Sequence, residues 1–133
     1  MRARMAVCNI AVQDLVRSRQ FYEAMGFKAR SESNDQMVFF ELEWSWLGLF
    51  TYPTLADFAG TPAEPSGTPA FCFSHFVRSP EEVDAVISQA VGSGGSVAIE
   101  ASDSEYGRIG YFADPDGYRW EVAYSPPWHM LAE

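Results

Sequence analysis

The chain has 133 residues, 47% hydrophobic and 15% aromatic, a size and composition that suit one globular domain burying roughly two-thirds of its unfolded surface without a staple. A net charge of −9, with nine Lys and Arg placed singly, leaves no basic face for phosphates, so nucleic acid is excluded as a partner. No apolar run approaches the ~20 residues that cross a bilayer, and the basic start Met-Arg-Ala-Arg-Met leads into Asn9 and Gln13-Asp14 instead of a cleavable core; a cytoplasmic protein without a membrane partner is expected.

Residues 5–12 read as a first strand, with Cys8, Ile10 and Val12 on one face and Val7, Asn9 and Ala11 on the other. Asp14 is a good N-cap for a helix whose stripe is Leu15, Ser18, Tyr22 and Met25 with Phe21 beside it, and Gly26 stands where a C′ glycine ends such a helix. Segments 27–30, 37–42 and 46–52 read as three strands, the first two joined at Ser33-Asn34-Asp35. Residues 53–69 hold Pro53, Pro62, Pro65 and Pro69 with Gly60 and Gly67, and read as a linker in which 55–59 can form a short helical turn.

After the linker the order repeats. Residues 70–77 are strand-like, and Ser79-Pro80-Glu81-Glu82 is a capping box with Pro at the first helical position. Val83, Val86, Ile87, Ala90 and Val91 then mark an amphipathic helix ended by Gly92. Strands at 96–99, 108–113 and 118–124 follow, the last two joined by Asp114-Pro115-Asp116-Gly117, a type I turn sequence. Tyr118, Trp120, Val122 and Tyr124 alternate with Arg119, Glu121 and Ala123, which sets the Glu121 carboxylate on the face opposite Trp120.

The fold expected is α+β: a single domain, 1–133, built of two tandem β-α-β-β-β modules at 1–52 and 70–125, with a tail at 126–133. Val12 corresponds to Val77 and Gly26 to Gly92 within one residue. A repeated unit that cannot bury its apolar face alone packs against its copy, so curved mixed sheets with helices outside are predicted. Cys8 and Cys72 sit among apolar residues without metal-site spacing and read as small buried hydrophobes.

Asp14-Leu15-x-x-Ser18-x-x-Phe21-Tyr22-x-x-x-Gly26-Phe27 in the first half and Gly110-Tyr111-Phe112-x-Asp114-Pro115-Asp116-Gly117-x-x-Trp120-Glu121 in the second make the chain resemble the vicinal oxygen chelate superfamily. Glyoxalase I, the bleomycin resistance proteins and the extradiol dioxygenases belong to it, and the resemblance covers nearly the whole chain. In the metal-dependent members it implies four inward-facing ligands, which carry over by strand register to Val7, Gly48, Cys72 and Glu121. Only Glu121 is an ordinary hard-metal ligand. One carboxylate and one thiolate fall short of the three matched ligands of a catalytic site, so no cofactor is expected. The alternative is a divalent metal held by Glu121 and by His75, the latter swung inward by a one-residue bulge; otherwise His75 packs under the second helix or bonds at the strand end. His129, in the tail, is expected to be exposed or at a subunit contact.

The same register gives an inward face of Val7, Asn9 and Ala11; Trp46, Gly48 and Phe50; Cys72, Ser74 and Phe76; and Arg119, Glu121 and Ala123. Apolar walls with a few convergent polar groups suit a small-molecule site. The candidate ligand contacts are Asn9, Trp46, Phe50, Cys72, Ser74, Phe76 and Glu121, with Glu121 also the candidate catalytic residue; the other possibility is that these side chains simply fill the core. Gly48 would leave a hole, Arg119 could neutralise Glu121, and Tyr106 and Tyr111 are further candidates without a fixed role. Two functions follow. One is a metal-free protein binding a small hydrophobic or aromatic ligand, similar to the bleomycin resistance branch; the other is a metal-dependent lyase, isomerase or dioxygenase of the glyoxalase type using Glu121 and His75. The resemblance also implies a homodimer, with Trp128-His129-Met130-Leu131 covering a neighbour.

Overall fold

A computed structural model describes residues 1–133, which divide into two compact units, Met1–Gly67 and Thr68–Glu133. The first contains β1 (Val7–Val12), α1 (Leu15–Ala24), β2 (Met37–Glu41), β3 (Trp46–Thr51) and α2 (Tyr52–Ala59). Its sheet has the order β1-β3-β2, with β1 parallel and β2 antiparallel to β3. Alternation sorts the side chains: Ile10 lies opposite Leu49, and Val38 and Phe40 opposite Leu49 and Leu47, giving one apolar face. The α1 helix covers it. Asp14 caps that helix by accepting from the Arg17 N–H at 3.0 Å, and its buried Tyr22 lies 5.9 Å from Phe40 and stacks on Phe27 at 5.5 Å.

Two expectations are corrected in this unit. Segment 27–30 is no strand: it touches β2 through a single bridge, Ala29 to Phe40. The chain turns away because the Ser33 N–H returns to the Arg30 carbonyl, and Asn34 Oδ1 accepts from Gln36 and Met37, an Asx turn that ends the pairing. The helical turn allowed at 55–59 is a full helix, α2, that starts at Tyr52 and takes in the beginning of 53–69. Thr51 caps that helix, Pro53 sits in the first turn, where a missing N–H costs nothing, and Gly60, at φ 70°, ends it. Leu55 is buried with Ala11 and Phe50, so α2 lies on the sheet face opposite α1, where no helix was expected.

The second unit contains β4 (Cys72–Phe76), α3 (Pro80–Gly92), β5 (Ser96–Ser104), β6 (Gly107–Ala113), β7 (Arg119–Tyr124) and a terminal 3-10 segment, Pro126–Ala132. The order is β4-β7-β6-β5, with β4 parallel to β7. This is the plan of the first unit with its outer strand complete. Ser79 caps α3 by accepting from Glu82 N–H, while the Glu82 carboxylate accepts from Arg78 N–H, close to the reciprocal cap the sequence predicts. Val83, Ile87 and Ala90 are buried. Helix and sheet approach closely at Gly110, where an added Cβ would come within 2.6 Å of Ile87 Cδ1 and 2.9 Å of Ala101. Strand β5 extends past 99 to Ser104 through two register shifts, irregularities of the kind that re-aim an exposed edge strand.

At the β6–β7 turn the Gly117 N–H returns to the Asp114 carbonyl at 3.0 Å, and Asp114 Oδ1 accepts from the N–H groups of Asp116 and Tyr118, both at 2.9 Å. Asp114 is 3% exposed. Trp120 stacks on Phe112 at 5.9 Å and meets Phe73 at 4.6 Å, on the face that carries Gly110 and α3. No helix of the chain is long and apolar enough to cross a membrane.

Candidate functional site

On the second sheet's other face, the register places Ser74, Glu121 and Tyr111 in one row: β4 sets Ser74 beside Glu121, and β6 sets Tyr111 beside it from the opposite edge. Same-row neighbours on adjacent strands lie within side-chain reach, and all three engage. Ser74 Oγ donates to Glu121 Oε1 at 3.0 Å and the Tyr111 hydroxyl donates to Oε2 at 2.7 Å. Bonding to that carboxylate, with help from burial and from its negative charge, pushes the Tyr111 hydroxyl up to about 12.

Arg119 does not neutralise Glu121, because its guanidinium donates to the Gly117 carbonyl at 3.1 Å. Cys72, expected to be buried, is exposed in the row beside Arg119, whereas Cys8 is half-buried and burial pushes its thiol up. Phe76 shares a row with Ala123 and is half-buried, and Ile99, opposite Tyr111 on β5, is 58% exposed. The Glu121 carboxylate thus stands on a partly open apolar face.

His75 is elsewhere. The β4–β7 register runs unbroken from Cys72 to Phe76 and pairs His75 with Val122, so no bulge carries the imidazole to the Glu121 face. It sits at the sheet's edge, where partial desolvation pulls its pKa below the ordinary value while Glu82 pulls the other way. The alternative metal pair His75 and Glu121 is therefore not assembled. His129 is exposed and bonds the Pro126 carbonyl through Nδ1 at 3.1 Å. Tyr106 is exposed in the β5–β6 turn, off the Tyr111 row.

The corresponding face of the first unit differs. Asn9 pairs with Gly48, and an added Cβ there would overlap the Asn9 carboxamide, so the expected hole is already filled by Asn9. Phe50, read as a ligand contact, is 6% exposed and packs with Ala11 and Leu55; α2 makes it core. Trp46 is half-buried, with the Arg30 guanidinium 4.2 Å above its ring.

One residue on these faces escaped the sequence reading, and another was named there without a role. Phe39 closes against Gly48, Trp46 and Phe50, and Tyr111 had no assigned role. A signal for both existed: counting back from the Asp-Pro-Asp-Gly turn puts Tyr111 opposite Glu121, and strand alternation in 37–41 puts Phe39 on the Gly48 face.

The model of the Glyoxalase/Bleomycin resistance protein/Dioxygenase superfamily matches residues 4–122. The chain belongs to that superfamily. Among solved structures, a glyoxalase-related enzyme from Fulvimarina pelagi is 29% identical, with a TM-score of 0.84 over 93% of this chain and 89% of that one. A glyoxalase/bleomycin resistance protein/dioxygenase family enzyme from Burkholderia phytofirmans is 21% identical, with a TM-score of 0.78 over 92% and 99%. The fosfomycin resistance protein FosX from Listeria monocytogenes shares the fold at 19% identity and a TM-score of 0.71, over 94% and 93%. No curated protein matches the chain in sequence.

The resemblance to the metal-dependent members of the glyoxalase superfamily implies four ligand positions. In the first unit they are Val7 and Gly48, neither with a side-chain donor atom; in the second they are the Cys72 thiol and the Glu121 carboxylate, whose two oxygens already accept hydroxyl bonds. No three His, Cys, Asp or Glu side chains of this glyoxalase-superfamily chain come together as a metal-holding group. The donor set does not fit the family's divalent cation.

Proposed function

We propose that this superfamily member binds a small organic compound without a metal, and works as a homodimer, the assembly its resemblance implies. The compound's apolar or aromatic body lies on the Phe76 and Ile99 side of the second sheet, and its ammonium or hydroxyl group meets Glu121. The observation that supports this is the state of that carboxylate: two hydroxyls orient it, no cation pairs with it, and the face around it is apolar and partly open. A carboxylate has about four acceptor positions, so two remain for a ligand's donors. A charge-assisted bond there is shorter and stronger than a neutral one, and the net charge of −9 favours a cationic ligand at long range. Cys72 and Ser74 contribute to the rim.

Metal analysis of the purified protein, with thermal unfolding in the presence of arylalkyl amines and phenols, tests the proposal. Substoichiometric metal is expected, together with a binder that stabilises the wild type by about 2.7 kcal/mol at a hundredfold excess over its Kd and does little for Glu121→Gln. Near-stoichiometric divalent metal, or equal stabilisation of Glu121→Gln, would refute it; sedimentation as a monomer would remove the dimer from it.

A further inference from the structure

At the β2–β3 turn of the first unit, the Leu42 N–H bonds the Ser45 carbonyl at 2.9 Å, a four-residue reversal that places Glu43 and Trp44 at its tip. Trp44 is 70% exposed and its ring meets no other ring. A groove of about 290 Å³ is lined by Trp44, Trp46, Glu41 and Glu43 together with Arg4 and Met5. That volume falls just below the range of small-molecule sites, roughly 300–1,000 Å³, so the occupant is small. We infer that this groove binds a small organic ammonium ion, held by the Trp44 ring and the Glu43 carboxylate beside the Trp46–Glu41 pair that Arg30 occupies.

The molecule already carries an internal demonstration. Glu41 and Trp46 are cross-strand partners, and the Arg30 guanidinium lies 4.2 Å over the Trp46 ring while pairing with Glu41. One cation thus uses the arrangement the inference assigns to a ligand, and Trp is the strongest of the aromatic rings for such contacts. Arg30 also pairs with Glu32 at 2.9 Å and covers only Trp46. Trp44 and the exposed Glu43 have no such occupant. The carboxylates alone would hold nothing specific, since Glu41 is engaged and Arg4 opposes them; the uncovered Trp44 indole selects an apolar, weakly hydrated cation over a bare metal ion. The site is in the first unit and is independent of Glu121.

The test is an NMR titration of the full chain with choline and with 3,3-dimethylbutan-1-ol, its uncharged isostere. Choline should bind about fivefold or more tightly than the isostere, within the span expected of cation–π contacts. Trp44→Ala should erase that difference, Trp44→Phe should restore part of it, Glu43→Gln should reduce choline affinity, and Trp128→Ala should change neither. Arg30→Gln, which frees the second indole and a carboxylate, should tighten choline binding. Equal affinity for choline and its isostere, unaltered binding by Trp44→Ala, or weaker binding by Arg30→Gln would overturn the inference.

Discussion

Replacing Glu121 by Gln keeps the shape of the Ser74–Glu121–Tyr111 row but removes its charge, and the consequence is readable at Tyr111. The hydroxyl donates to the carboxylate at 2.7 Å and its pKa is pushed up to about 12, from 10.0 for an ordinary tyrosine, which corresponds to about a hundredfold gain in proton affinity. Full linkage would make this about 2.7 kcal/mol of stability; the face is partly open, and solvent screening brings the expected value to about 1 kcal/mol. The folded pKa exceeds the unfolded one, so this contribution is complete below pH 10 and is lost as pH rises toward 12. Ultraviolet titration of tyrosinate absorbance, with far-ultraviolet dichroism confirming that the fold persists, provides the assay. Tyr111→Phe identifies the step that belongs to this residue among the six tyrosines. In Glu121→Gln that step should move down toward 10, and in Ser74→Ala it should stay near 12. A Glu121→Gln curve that superimposes on the wild type would show that the carboxylate does not hold the hydroxyl.

Gly48→Ala sets a methyl group against the Asn9 carboxamide and the Phe39 ring, and should cost about 1–3 kcal/mol in urea unfolding. Adding Asn9→Ala should return much of that loss, and strictly additive losses would disprove the contact. Asp114→Ala leaves the N–H groups of Asp116 and Tyr118 without their acceptor and should lower stability by at least about 2 kcal/mol; Asp114→Asn, which keeps one oxygen, should fall between the two in thermal unfolding.

Periodicity made much of the fold legible. The alternation of 7–12 and 118–124 and the helix stripes at Leu15 and Val83 are tertiary packing written into one dimension, and the structure follows them. What failed depended on context. Segment 27–30 has strand-like residues, but Gly26 and the Asn34 turn fix its course more strongly than its propensity does. Pro53 signals a break anywhere except in a helix's first turn, and whether it occupies one rests on Thr51 being free to cap. At the candidate site, parity put Glu121 on the face opposite Trp120 and separated His75 from it, but parity cannot choose between a pocket wall and a core. Phe50 and Glu121 share that parity and differ in burial: Phe50 lies under a helix, whereas Glu121 is half-buried on a partly open face.

That difference decides where the polypeptide can be divided. The duplication boundary in the sequence lies near residue 52, yet a fragment ending there would lose Leu55 and leave Ala11 and Phe50 bare to water. The chain between Gly60 and Gly67, exposed throughout, can be severed or lengthened without uncovering anything. The two copies are not interchangeable halves, because one uses the connecting peptide as a plug and the other leaves its floor partly open.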